Sequence, residues 1–233
     1  MSRSMAKQKK TKIVAWSYSR LSCYEECPRK HQYRNILKLD EPKGDAMFRG
    51  IKIHNEAAKF LDGSIDQVPD SCVNFKAEFI ELKSFNPIVE QQWSFTKNMK
   101  PTGWFAKDTW LRATLDAGVV YRDGWADVID LKTGKKYDNY DDQLNLFAAT
   151  MIHMNPAEVT VGVRVRLWYL DIEDFDEAEV VRDITVDEAM TAFADLTDRA
   201  ETMMAATRFP PRPNRFCGWC HFRKSNGGPC EYS

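Results

Sequence analysis

Between Leu111 and Lys136 the chain reads LRATLDAGVVYRDGWADVIDLKTGKK. Thirteen residues separate Asp116 from Asp130, and Lys132 follows the second acid by two. Arg122-Asp123-Gly124 is a hairpin signal between two runs of strand-forming residues. Antiparallel pairing of those runs brings the two carboxylates side by side. Side chains alternate along a strand, so Asp130 and Lys132 share one face while Leu131 turns to the core. Two carboxylates suit a hard divalent cation such as Mg²⁺, which binds oxygen ligands and keeps waters and substrate oxygens around it. Such a cation polarises a phosphodiester and activates a water, and a neighbouring ammonium orients that water and stabilises developing negative charge. Spacing alone equally allows an exposed cross-strand ion pair.

The elements that must hold these residues can be read from periodicity. Helices are expected from Ser17 to Glu26, from Pro28 through PRKHQYRNIL, from Asp45 to Leu61, and after Asp70 with Phe75, Phe79, Ile80 and Leu82 at helical spacing. Strands are expected over 87–95, 109–121 and 125–132. A helix then runs from Tyr140 to Met154, a strand covers EVTVGVRVRLWYL, another covers 179–185, and a helix runs from Val186 to Thr207. This order predicts a mixed α/β (α+β) domain, a central mixed sheet flanked by helices. No GxxxxGK[ST] loop is present, which excludes a recognisable ATP motor.

Six cysteines form a second pattern. Cys217 and Cys220 have metal-ligand spacing and Cys230 adds a third thiol. A closed site needs a fourth ligand, and Cys27, His221 and Cys23 are the candidates. Cys23 and Cys72 otherwise read as buried small residues.

The bulk numbers set limits. The chain has 233 residues, 43% of them hydrophobic, and a net charge of −1. No stretch reaches the roughly 18 apolar residues of a membrane span. MSRSMAKQKKTK is basic but lacks the apolar run of a secretory signal, so a soluble cytoplasmic protein with no membrane partner is expected. The basic clusters at Lys7 to Lys12 and at Arg208, Arg212, Arg215, Arg223 and Lys224 read as solvated surface. Glu90, on the first strand, reads as a surface residue rather than an auxiliary acid.

The run D-x13-D-x-K-T-G-K resembles the core of the PD-(D/E)XK nuclease superfamily, in particular its RecB-like exonuclease branch. Gly50-Ile-Lys-Ile-His54 is similar to the family's upstream G-x-x-x-H helix. Gln143 followed by Phe147 is similar to its Q-x-x-x-Y helix, with Phe147 in place of the tyrosine. Ser17, Ser19, Arg20, Leu21 and Cys27-Pro28-Arg29-Lys30 resemble its opening, and Ala113 stands where a glycine often precedes the first aspartate. The resemblance implies that Asp116, Asp130, His54 and the Leu131 carbonyl hold Mg²⁺ or Mn²⁺, that Lys132 is catalytic, and that Gln143 supports the site. AddB-type subunits and CRISPR-adaptation exonucleases hold a [4Fe–4S] cluster on one N-terminal and three C-terminal cysteines. That implies a cluster on Cys27, Cys217, Cys220 and Cys230, joining the two ends of the chain. Nine residues separate Cys220 from Cys230, more than the family usually has, so Zn²⁺ on the same residues remains the alternative.

The expectation is thus a metal-dependent DNA exonuclease acting on single strands or duplex ends. Its setting would be phage or bacterial DNA processing, recombination or repair, alongside recombination or replication proteins. A non-catalytic nucleic-acid-binding or assembly module and a structural zinc protein are the competing readings. Residues 1–16 would form a flexible basic N-terminus. Residues 17–207 would form the nuclease domain, helical over 17–84 and catalytic over 85–207, and 208–233 a Cys-rich metal-binding segment packing back on it.

Overall fold

Alternation of apolar and polar residues from Ile88 onward produces a five-stranded sheet whose spatial order follows the chain: β1 (Ile88–Phe95), β2 (Leu111–Val120), β3 (Trp125–Lys132), β4 (Gly162–Tyr169) and β5 (Glu179–Thr185). β1–β2, β2–β3 and β4–β5 pair antiparallel, and β3–β4 pair parallel. A parallel pair needs a long crossover, and α5 (Asp141–Met154) lies within it. The computed structural model describes residues 15–42, 44–136 and 140–232, so the Lys7–Lys12 cluster lies outside the described residues. The mixed sheet with flanking helices is the α/β class expected from the sequence. Among the described residues no helix is long and apolar enough to cross a membrane.

The described residues fall into two compact units, one drawn from 43–198 and the other from 1–42 with 199–233. The first contains the sheet. β3 is buried on both faces, with Ala126, Val128, Ile129 and Leu131 all inaccessible, as suits a strand between neighbours with helices on either side. Tyr169 of β4 packs edge-on against Tyr140 at the start of α5. Its neighbour Trp168 points the other way and meets Phe75 (5.0 Å) and Phe79 (5.2 Å). The helices α3 (Asp45–Leu61) and α4 (Lys76–Ser84) complete this unit together with α6 (Phe175–Ala178) and most of α7 (Val186–Ala205). α3 buries Ile53, Ala57, Phe60 and Leu61 at helical spacing.

The second unit holds α1 (Tyr18–Glu26) and α2 (Pro28–His31), the latter continued by one wide π-type turn over Gln32–Ile36. The C-terminal segment lies on these helices. Arg29 donates to the Phe209 carbonyl, the Tyr33 hydroxyl donates to the Pro229 carbonyl, and buried Phe222 packs on Tyr33. Arg199 forms a two-pronged pair with Glu25. His31 is fully buried. Its Nδ1 lies 3.0 Å from the Arg20 carbonyl, which can only accept, so Nδ1 carries the proton and buried Nε2 has no partner. Burial pushes this imidazole down to about 4, against the opposing Arg20 hydrogen bond.

Local departures from the sequence reading have local causes. Asp70 does not cap a helix; Asp70–Phe75 is a 3₁₀ turn that seats Cys72 and Phe75 in the core, and the α-helix starts only at Lys76. Ile80 points to solvent. The fourth strand begins at Gly162 rather than Glu158, because the Thr160 and Val161 N–H groups are taken by the Gly124 carbonyl. The second strand begins at Leu111 and the last helix ends at Ala205.

Two outcomes follow. Phe75→Ala should lower unfolding stability by about 3–5 kcal/mol, since it removes a fully buried ring from its stack on Trp168; urea titration measures it. His31 is neutral in both states above pH 6.5. Below that the unfolded chain takes up a proton that the folded one refuses until about pH 4, so stability falls as pH drops through this window. The loss assigned to His31 reaches about 3 kcal/mol, and comparing wild type with His31→Gln across pH 7 to 4 should show a shallower slope in the variant.

Candidate active site and metal centre

The sheet is irregular at one position. The β1–β2 ladder pairs Val89 with Ala117 and Gln91 with Leu115, but the step between them, Glu90 opposite Asp116, is unpaired. The β2–β3 ladder also stops at Ala117 and Ile129. Beyond it the Leu131 N–H donates to Asp116 Oδ2 at 2.8 Å, a side chain standing where a backbone carbonyl would. Alternation slips here as well: a Cβ added to Gly118 would meet both Met151 of α5 and Leu115, three residues away. Glu90 has φ of 48°, a left-handed backbone that costs a non-glycine residue roughly 1–2 kcal/mol. Strain of this kind persists where the surroundings over-determine it.

The break gathers ligands. Candidate ligand atoms of His54, Glu90 and Asp116 all lie within 4.8 Å of one another. His54 Nδ1 is 3.3 Å from Asp116 Oδ1, the oxygen not engaged by Leu131. His54 reaches this point because α3 comes close to the end of β3. A Cβ at Gly50 would sit 3.2 Å from the Thr133 hydroxyl, tighter than ordinary contact, so the glycine four residues before the histidine permits the approach. Asp171 fixes the same junction, accepting from the Arg49 guanidinium and from the Gly134 N–H at 2.6 Å.

Next to this trio, Lys132 Nζ lies 2.5 Å from Asp130 Oδ2 and donates to Gln143 Oε1 of α5 at 3.1 Å. An ammonium has three N–H donors, so one remains for a further acceptor. Burial, opposed by Lys132 and reinforced by the charge of Asp116, pushes the Asp130 carboxyl well above its ordinary range. Burial and then Asp116 raise Glu90. The hydrogen bond to Asp116 raises His54 against the effect of burial. Two acids that resist ionisation, Glu90 and Asp130, and a histidine drawn towards its charged form describe a site short of positive charge. Two carboxylates and an imidazole form a mixed oxygen and nitrogen donor set that suits Mn²⁺ or Mg²⁺.

The structure therefore brings together His54, Asp116, Asp130, Lys132 and Gln143 from two strands and two helices of one unit. Phe147, one turn beyond Gln143, is buried in the core. Glu90 was missed by the sequence reading as a site residue; it is exposed, as expected, yet it completes the trio. An acid opposite Asp116 in the hairpin register was the available signal, but its left-handed backbone has none. Asp130 Oδ2 faces Lys132 rather than the trio.

In the other unit Cys27, Cys217, Cys220 and Cys230 line a single small cavity of about 30 Å³. The Arg212 N–H points at Cys27 Sγ (3.4 Å) and the Asn214 N–H at Cys217 Sγ (3.3 Å). Cys23 and Cys72 are buried elsewhere, and burial pushes each thiol up to about 11. Neither Cys23 nor His221 lines the cavity. Among the described residues, the trio at His54 is the only set of three such ligand atoms within 4.8 Å of one another, so the sulfurs are spread more widely.

Fold and site together define a class: α/β domains that gather acids, a histidine and a lysine where a mixed sheet breaks. The sequence matches the PD-(D/E)XK nuclease superfamily over residues 15–225, and the chain belongs to that superfamily. No protein of curated function matches the sequence. Among solved structures, a protein from Eubacterium rectale whose name offers exonuclease activity as a proposal is 12% identical, with a TM-score of 0.46 over 89% of this chain and 87% of that one. The protein SSO0001 is 15% identical, with a TM-score of 0.42 over 92% and 86%.

Mn²⁺ titrated calorimetrically into the protein should bind, and binding should weaken as pH falls, because the raised His54 must lose its proton to act as a ligand. Glu90→Asn should keep or raise unfolding stability, since asparagine accepts a left-handed backbone more readily, while Mn²⁺ affinity drops at least about tenfold. Unchanged affinity in Glu90→Asn would remove Glu90 from the site.

Proposed function

We propose that this chain is a Mg²⁺- or Mn²⁺-dependent DNA exonuclease of the RecB-like branch, acting on single strands or duplex ends. The observation that carries the reading is the His54–Glu90–Asp116 trio set against the Asp130–Lys132–Gln143 chain, in a member of a nuclease superfamily. His54, Glu90 and Asp116 would hold the cation, with Asp130 and the Leu131 carbonyl completing the set. A bound divalent cation lowers the pKa of a water and polarises the phosphate.

The remaining work falls to the chain's own groups. Asp130 and Gln143 aim the Lys132 ammonium, whose free N–H orients the attacking water and meets charge developing on the phosphate oxygen. The Leu131 N–H fixes one Asp116 oxygen and so directs the other towards the substrate side. Phe147 contributes packing where relatives carry a hydroxyl, so DNA contact at that point is left to Gln143. Exonuclease mode rests on the motif order Ser17–Leu21, His54, Asp116, Asp130-x-Lys132 and Gln143. DNA processing, recombination or repair in a bacterial cell or its phage is the setting that order implies.

We assign a second metal group to Cys27, Cys217, Cys220 and Cys230. The shared cavity, the N–H groups aimed at two sulfurs and a sulfur spread wider than one ion's ligands support [4Fe–4S] over Zn²⁺. Protein purified anaerobically should be brown and contain iron and sulfide in equal amounts; a colourless, zinc-rich sample would decide for zinc.

With end-labelled single- and double-stranded DNA and Mg²⁺ or Mn²⁺, Asp116→Ala and Lys132→Ala should each lower turnover by at least about a hundredfold. Lys132→Ala should retain Mn²⁺ binding and Asp116→Ala should lose it. Activity surviving in both variants would overturn the mechanism.

A further inference from the structure

The loop joining β1 to β2, TKNMKPTGWFAKDTW, carries three lysines and one acid, Asp108, whose carboxylate already accepts the Thr102 hydroxyl. At its turn Phe105 is 88% exposed, the most open large apolar side chain among the described residues. The loop is nonetheless well tied. Buried Ser94 donates its hydroxyl to the Thr102 carbonyl, and buried Thr109 donates to the Gly103 and Ala106 carbonyls. Backbone bonds from Thr102 to Ser94, Ala106 to Gly103 and Trp110 to Phe95 close it further. A ring held out on a rigid turn has already met the entropic cost of being presented.

Arg112, just inside β2, lies against two rings, with its guanidinium carbon 5.3 Å from the Trp104 ring centre and 5.7 Å from that of Phe105. It forms no ion pair with a described carboxylate, and its buried Nε has no hydrogen-bond partner. The charge is therefore met by ring faces and left available to an anion. Arg112 pairs with Ser94 in the regular part of the β1–β2 ladder, and Thr114 pairs with Gln92. Alternation puts Arg112 and Thr114 on the same side of β2 in the regular part of the ladder, which ends at the break beside Asp116. Thr114 and Gln92 are exposed. Four residues at about 3.3 Å each separate Arg112 from Asp116 by roughly 13 Å, so an anion held at Arg112 lies within a few nucleotides of the acids.

We propose that this loop and the adjoining face of β2 form a track for single-stranded DNA leading to Asp116, with Phe105 stacking on an unpaired base and Arg112 meeting a phosphate. Exposed Lys100 and Lys107 add to the attraction of a polyanion. An aromatic platform beside basic side chains is how single strands are held without sequence preference, and a paired duplex offers no open base face to Phe105. The proposal rests on the nuclease reading for the identity of the ligand, and adds where the strand runs.

The test measures fluorescence anisotropy of a labelled single-stranded oligothymidylate, and of a blunt duplex, without added divalent cation. A 2-aminopurine placed along a second oligonucleotide reports stacking. Wild type should prefer the single strand and quench 2-aminopurine at one position. Phe105→Ala should bind about five- to a hundredfold more weakly, the range for losing one stacked base, and lose the quench, while Phe105→Trp restores both. Arg112→Gln should lower the salt slope by about one. Phe105 is too exposed for its removal to unfold the chain, and the unfolding curve checks this.

Wild-type affinity and quench in Phe105→Ala, with nuclease activity present in the wild type, would overturn the track and leave the nuclease reading standing. A wild type that neither binds nor cuts DNA would overturn both. Self-association or capture of another protein lost in Phe105→Ala, with DNA affinity unchanged, would reassign the patch to a protein contact and overturn the proposal.

Discussion

A single hydrogen bond, from the Leu131 N–H to the Asp116 carboxylate, stands where two ladders of the sheet give out. A backbone N–H at this depth must find an acceptor, and here the acceptor is a side chain. That substitution has three consequences at once. It ends the β2–β3 pairing at Ala117 and Ile129, it fixes one oxygen of Asp116, and it leaves the other facing His54. Glu90, across the other ladder, takes up the mismatch in its own backbone. An uninterrupted ladder would have tied the Leu131 N–H to the backbone of β2 and left both Asp116 oxygens without that anchor.

Electrostatics explains why such a cluster is poised for a cation. Glu90, Asp116 and Asp130 crowd a part-buried space that holds one ammonium and one imidazole. The charge of Asp116 adds to burial in raising Glu90 and Asp130, and Lys132 answers only Asp130. The imbalance is held in place by the rest of the unit. Gly50 lets α3 approach Thr133, and Asp171 ties Arg49 of that helix to the turn at Gly134. His54 is thereby delivered to the acids by packing at positions several residues away from it.

The cysteine region follows a different logic. Its small helices and 3₁₀ turns bury little, with Phe222 and Tyr33 supplying much of the apolar contact around the cavity. Segments of this kind commonly depend on a metal or cluster for their shape, since ligand bonds replace the missing core. Backbone N–H groups of Arg212 and Asn214 point at two of the sulfurs and help set their positions.

Much of the fold was legible along the chain because its cues are local. Period-two alternation marked the strands, helical spacing marked α3, and Arg122-Asp123-Gly124 marked the hairpin that sets Asp116 beside Asp130. The residue types and order of His54, Asp116, Asp130, Lys132 and Gln143 were equally visible, as was the set of four cysteines. Glu90 was only faintly so, because an exposed acid on a strand is ordinary; its place opposite Asp116 was the one cue, and its left-handed backbone beside His54 had none. The 3₁₀ turn at Asp70–Phe75 was hidden for the same reason, since burial of Cys72 and Phe75 against the sheet outweighs a capping preference. Residue types and turn chemistry alone were enough to put two aspartates and a lysine on one strand pair. Tertiary structure decided that the pair breaks at Asp116, because the acceptor for one buried N–H is supplied by a side chain rather than by the next strand.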